Sequence, residues 1–145
     1  MTRRSEAELR NNPRRGYKWG LGLDVKGPRG LLALSVFVVV KDSLYPYASM
    51  DILGTALDGG IRWAVLPRRW TPFLGVGVYV PGLGIDLFKS EDLRPLTLHL
   101  EGGLQFVGQN GIGAELGGAL LLHKDSGGKL VRELAPVVGV QWFFK

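Results

Sequence analysis

The stretch LTLHLEGGLQFV, residues 96–107, alternates without a break. Leu98, Leu100, Gly102, Leu104 and Phe106 occupy one parity; Thr97, His99, Glu101, Gly103 and Gln105 occupy the other. Successive side chains of an extended strand point to opposite faces, so this segment is a strand with one apolar face and one polar face. A helix of 3.6 residues per turn would scatter both sets around its axis. The architecture turns on which face meets solvent.

The same period recurs along the chain, cut by turn residues every dozen or so positions. Tyr17 to Lys26 sets Tyr17, Trp19, Leu21, Leu23 and Val25 against Lys18, Gly20, Gly22, Asp24 and Lys26. Further strands are expected at Leu31–Lys41, Tyr47–Leu57, Ile61–Leu66, Pro72–Val80, Leu96–Val107, Ile112–His123 and about Leu130–Phe144. GPRG, DSLYP, DGG (58–60), PRRWT, GQN and KDSGGK read as turns, and Pro81–Pro95 as a long connection. Hairpin-length links leave no room for crossover helices. Eight antiparallel strands in a meander can close on themselves with the interior filled by side chains. The expected fold is therefore all-β, a closed eight-stranded antiparallel up-and-down barrel. It spans residues 16–145, after a disordered basic arm at 1–15.

Composition narrows the function classes. With 145 residues the chain is one domain, and with no cysteine it has neither disulfides nor a thiolate metal site. The net charge of +5 is concentrated in Arg3, Arg4, Arg10, Arg14 and Arg15, opposed locally by Glu6 and Glu8. The body is close to neutral, so the basic arm is read as solvated and no nucleic-acid partner is expected. The longest apolar run, GLLALSVFVVV at 30–40, is about half the length of a spanning helix. MTRRSEAELRNNPRRG lacks the apolar core of a secretory leader.

Two eight-stranded barrels fit the alternation. A soluble calycin-like barrel turns its apolar face inward around a small apolar ligand; a transmembrane barrel turns that face to lipid. The polar face carries Gly75, Gly77, Gly103, Gly113, Gly117 and Gly139 between sparse charges. Glycine covers nothing and weakens an exposed strand, whereas a crowded interior can use the space. The connections on the side of the termini are short, and the longest lies on the other side, as in outer-membrane barrels. Tyr17, Trp19, Tyr45, Tyr47, Trp70, Phe73, Phe106, Trp142 and Phe144 all fall near the terminus side, where aromatic rings would mark a membrane–water interface. These features point to the transmembrane arrangement.

On TPFLGVGVYV, LHLEGGLQFVG, IGAELGGALLLH and the closing VVGVQWFFK, the chain resembles the small eight-stranded outer-membrane β-barrel proteins of Gram-negative bacteria, the OmpA/OmpX-like group, over about residues 16–144. That resemblance implies a lipid bilayer or detergent environment, a monomer, outer-membrane localisation, and delivery by the barrel-assembly machinery through a C-terminal signal. Gly139, Trp142 and Phe144 match this signal; Val137 stands at its polar position, and Lys145 follows its final aromatic.

Chemistry is sparsely indicated. Lys18, Asp24, Asp51, Arg62, His99, Glu101, Gln105 and Glu115 are expected to form an interior polar network, because buried charges must pair. Some barrels in the resembled group modify lipid A, and their deacylase branch carries a His-x-Ser pair with a nearby Glu; here His99-Leu100-Glu101 has Glu101 in place of the Ser. A lipid-modifying enzyme is the second alternative, after the calycin-like barrel, and the leading expectation is no catalysis. The two histidines lack metal-ligand spacing and Gly111–Gly117 lacks a dinucleotide fingerprint, so no metal or cofactor is expected. Asp86, Phe88, Lys89, Glu91, Asp92 and Arg94 in the long connection are the candidate surface-recognition loop.

Overall fold

The computed structural model describes residues 12–26, 31–52, 56–81 and 96–145. Eight strands follow one another: β1 (Trp19–Lys26), β2 (Leu31–Val38), β3 (Leu44–Asp51), β4 (Ala56–Ala64), β5 (Trp70–Pro81), β6 (Thr97–Val107), β7 (Ile112–Lys124) and β8 (Leu130–Phe144). Each pairs antiparallel with its sequence neighbours, and β8 returns to β1 with Trp19 opposite Phe144 and Val25 opposite Val138, closing the barrel. The expected all-β, closed, eight-stranded meander is thus the observed one. Closure removes the free sheet edges that an open meander would present.

The strands are unequal. β1, β2 and β3 have 8 residues each, whereas β7 has 13 and β8 has 15. The β7–β8 ladder runs out to Lys124 opposite Leu130, yet β8 meets β1 only from Val138 onward. Pro136 lies in the part of β8 beyond β1, a position where a missing N–H breaks no ladder on that side.

One turn is corrected. Asp58, Gly59 and Gly60 do not close a hairpin; they lie inside β4, with Asp58 opposite Ser49 and Tyr79. The β3–β4 link lies instead between Asp51 and Ala56, and its residues 53–55 are outside the described set. The DGG triplet reads as a turn in sequence, but Gly60 serves a close approach: a Cβ there would sit 2.7 Å from the Gly77 Cα. Likewise β3 begins at Leu44, so Tyr45 and Pro46 are strand residues. The preceding turn is tight, with Lys41 and Asp42 at φ 52 and 59.

The expected disorder of the arm is also corrected for its last four residues. Asn12 to Gly16 form a turn, in which Asn12 O accepts the Arg15 N–H and Asn12 Oδ1 accepts the Arg14 N–H. Arg14 is 0% exposed, inserted into the barrel mouth. Residues 1–11 lie outside the described set.

Polarity is inverted relative to a soluble domain. The interior holds Arg14, Asp24, Asp51, Asp58, Arg62, His99, Glu101, Gln105, Glu115 and Gln141. Leu34, Val36, Ile61, Leu74, Val76, Leu100, Leu104, Leu116 and Val140 are exposed on the outside. Two apolar clusters share the interior with the polar groups: Phe37, Tyr45, Tyr47, Ala64, Val107 and Phe143 in one, Phe73, Ala119, Leu121 and Val137 in the other. In the first, Phe37 meets Tyr45 at 5.9 Å and Phe143 at 5.1 Å, both edge-on, the favoured aromatic geometry.

Candidate functional site

Arg62 is the hub of the interior. It stands mid-β4 on the inward parity, opposite Gly75 of β5, whose missing side chain leaves room for Arg62 and Glu101. Nη1 donates to both carboxylate oxygens of Glu115, at 2.6 and 2.7 Å. Nε donates to Glu101 Oε1, and Nη2 to Glu101 Oε2 at 3.2 Å. The guanidinium also lies over the rings of Tyr47 (5.1 Å) and Phe73 (5.5 Å). A planar fork with five donors can serve two carboxylates in this way; a lysine could not.

A chain of bonds runs from this hub to the terminus-side mouth. Gln141 Nε2 donates to Glu115 Oε2 at 2.7 Å, and Gln105 Nε2 donates to Gln141 Oε1 at 2.8 Å. Gln105 Oε1 accepts from Arg14 Nη2 at 2.9 Å and Nε at 3.2 Å; Arg14 Nη1 donates to the Arg68 carbonyl at 2.7 Å. Arg14 is therefore held by neutral acceptors. Burial draws its pKa down from that of a free guanidinium, opposed by Tyr45. An arginine starts high enough to remain a cation there.

The second cluster lies toward the far side. His99 Nε2 is 2.7 Å from Asp58 Oδ1 and 3.4 Å from the Tyr47 hydroxyl, while Ser49 Oγ donates to Asp58 Oδ2 at 3.4 Å. With Asp58 as a carboxylate, which only accepts, Nε2 carries the proton. The serine is bonded to the acid and not to the base, so the triad order needed for an activated nucleophile is missing. His99 is 4% exposed and Asp58 9%. Chemically this is a sealed, hydrogen-bonded pair.

Asp24 forms a third group. Ser35 Oγ donates to its Oδ2 at 2.9 Å, but Asp24 Oδ1 and the Tyr45 hydroxyl have no hydrogen-bond partner among the described residues. Both residues line one void of about 10 Å³ together with Ser35, Phe37, Tyr47, Arg62 and Gln141. That is about the room one water occupies.

Of the residues expected in an interior network, Arg62, Glu101 and Glu115 are bonded to one another and Gln105 joins them through Gln141. Asp24 is buried apart on Ser35, His99 pairs with Asp58, and Asp51 is buried at the end of β3. Lys18 is exposed on the rim, not interior. It precedes β1, and its ammonium stays hydrated. Sequence reasoning missed Arg14, because it sits in an arm without periodicity, and Asp58, because DGG resembles a turn.

The interface aromatics divide. Trp19 stacks on Phe144 at 4.5 Å and Trp70 packs on Phe106 at 4.9 Å, both pairs on the outer surface, where Trp142 is also exposed. Trp63, overlooked in sequence, joins them one residue from the end of β4. Tyr47 and Phe73, expected at an interface, are interior, as is Tyr45. Their strand parity is that of Ser49 and of Gly75, the inward one, so position near one end does not override alternation. Tyr17 is half-buried against Phe143 and closes the mouth, its hydroxyl donating to the Gln109 carbonyl at 3.2 Å. The loop residues Asp86, Phe88, Lys89, Glu91, Asp92 and Arg94 lie outside the described set.

Among the described residues no three histidine, aspartate or glutamate side chains group as a metal site, and no helix is long and apolar enough to cross a membrane. No protein-family model matches the sequence. The chain is a closed eight-stranded antiparallel barrel with a charged interior and an apolar exterior.

Proposed function

We propose that this chain is a transmembrane barrel of a bacterial outer membrane, plugged by its polar interior, with a structural or surface-recognition role and no catalysis. The observation that carries the reading is the outer surface. Across the outward positions of all eight strands, the charged residues are Lys124 and Arg132, both on the part of the β7–β8 hairpin that extends beyond β1. A contiguous apolar surface of this extent has no place in water, where exposed patches rarely exceed a few hundred Å². In hydrocarbon it is the expected surface. Strands β5 to β8, of 12, 11, 13 and 15 residues, reach or exceed the roughly 9–11 residues of a tilted spanning strand.

A calycin-like barrel would need the Leu/Val face around its ligand, and that face points outward. A lipid-modifying enzyme would need an acyl ester to reach His99, which is enclosed by Asp58 and Tyr47. The membrane reading is tested through the four tryptophans, Trp19, Trp63, Trp70 and Trp142, all of which face outward. Brominated lipids should quench their fluorescence after reconstitution, while aqueous iodide should not. A monomer soluble without detergent, with tryptophans quenched by iodide, would end the reading. Lipid A hydrolysis by the wild type, lost in His99→Ala, would overturn the non-catalytic part.

A further inference from the structure

The antiparallel order brings three connections and both ends of the barrel domain to one rim, and the charges there are of nearly one sign. Arg15 and Lys18 precede β1, Lys41 sits in the β2–β3 turn, Arg68 and Arg69 in the β4–β5 turn, and Lys145 follows β8; all six are exposed. Asp42, half-buried, is the acidic residue among the described residues of these turns. On the far side, the β7–β8 hairpin mixes Lys124, Lys129 and Arg132 with Asp125 and Glu133. Immediately inside the basic rim runs the outer aromatic set: Trp19 on Phe144, Trp70 on Phe106, and Trp142.

Cations at the depth of lipid phosphates, above indole rings at the depth of the glycerol region, form a surface complementary to an anionic headgroup. Lysine and arginine stems from the turns reach outward without burying charge in hydrocarbon. We infer that the terminus-side rim is a docking surface for anionic phospholipids, which it gathers around the barrel in the leaflet it meets. This rests on the membrane reading proposed above. A surface cation contributes about fivefold to association with an anionic bilayer, and salt screens it within a Debye length of about 10 Å at 0.1 M.

The test reconstitutes the full chain in phosphatidylcholine vesicles with and without phosphatidylglycerol and measures the restriction of spin-labelled forms of each lipid at the barrel surface. Phosphatidylglycerol should be enriched by about fivefold over phosphatidylcholine at low salt, the contribution of one surface cation. The enrichment should vanish near 1 M salt, where the Debye length is about 3 Å. It should also vanish in the variant Lys18→Gln/Lys41→Gln/Arg68→Gln/Arg69→Gln and survive in Lys124→Gln/Lys129→Gln/Arg132→Gln. Insertion into both vesicles without lipid preference, or a preference that survives salt or the rim substitutions, overturns the inference while leaving the membrane reading intact. Failure of the wild type to insert into either vesicle sinks the membrane reading itself. Should the rim variant not insert, the salt series on the wild type decides alone.

Discussion

Replacing Arg62 by methionine keeps an unbranched apolar stem in the barrel and removes the one guanidinium that serves both Glu101 and Glu115. Glu115 would keep the Gln141 amide at 2.7 Å, whereas Glu101 would lose both hydrogen bonds that Arg62 gives it. Removing one partner of a buried ion pair costs about 3–5 kcal/mol, because the remaining charge is left in a low-dielectric site. Two buried carboxylates lose their guanidinium here, so the expected loss lies at the upper end, about 5 kcal/mol. The loss of cation–π contact with Tyr47 and Phe73 acts in the same direction. Equilibrium urea unfolding of the refolded barrel, followed by the fluorescence of the outward tryptophans, measures the difference. Neutralising the whole set, in Arg62→Met/Glu101→Gln/Glu115→Gln, should recover most of it, since replacing a buried charge cluster is often nearly neutral. A loss below about 1 kcal/mol for the single variant, the value of a solvated pair, would mean that the interior is wet and the argument fails. Equal losses in the single and triple variants would refute it differently, by making shape rather than charge the cause.

Glycines should separate by their surroundings: at Gly103 a Cβ would meet the Gly117 Cα at 2.5 Å, whereas at Gly59 the nearest atom is the Tyr47 carbonyl at 3.6 Å. Gly103→Ala should therefore lower the urea midpoint severely, and Gly59→Ala should leave it unchanged or raise it by up to about 1 kcal/mol equivalent. Arg14→Ala strands Gln105 Oε1 and should cost about 1–3 kcal/mol in the same unfolding assay; no change would indicate that the turn at Asn12–Gly16 is not docked in the mouth. Tyr45→Phe removes a buried hydroxyl that faces Arg14 but makes no hydrogen bond of normal geometry among the described residues, and should be nearly neutral, whereas a loss above about 1 kcal/mol would mean that its interaction with Arg14 outweighs the gain from removing it.

The period-two pattern in LTLHLEGGLQFV and its counterparts was sufficient for eight strands, for their antiparallel order and for the parity of Asp24, Arg62, Glu101, Gln105 and Glu115. Where local reading failed, it failed at segments whose signal is ambiguous within a few residues. Asp58-Gly59-Gly60 has turn composition yet packs as strand, because Gly60 admits a close neighbour on β5 and the aspartate finds His99 of β6. Tyr47 and Phe73 lie near the terminus side, as interface aromatics would, but their parity is inward and they are buried. The buried Arg14 had no local signal at all: its partners, Gln105 and the Arg68 carbonyl, are 91 and 54 positions away.

The sequence by itself determined alternation, and alternation determined that one face would be charged and the other apolar, since a strand's side-chain direction is a property of its own backbone. The partners were decided elsewhere. Arg62 reaches Glu101 and Glu115 from β4 to β6 and β7, across 39 and 53 positions, only because β8 closes on β1 and turns every inward side chain toward one axis. Closure sets those distances, and closure is a property of all eight ladders together.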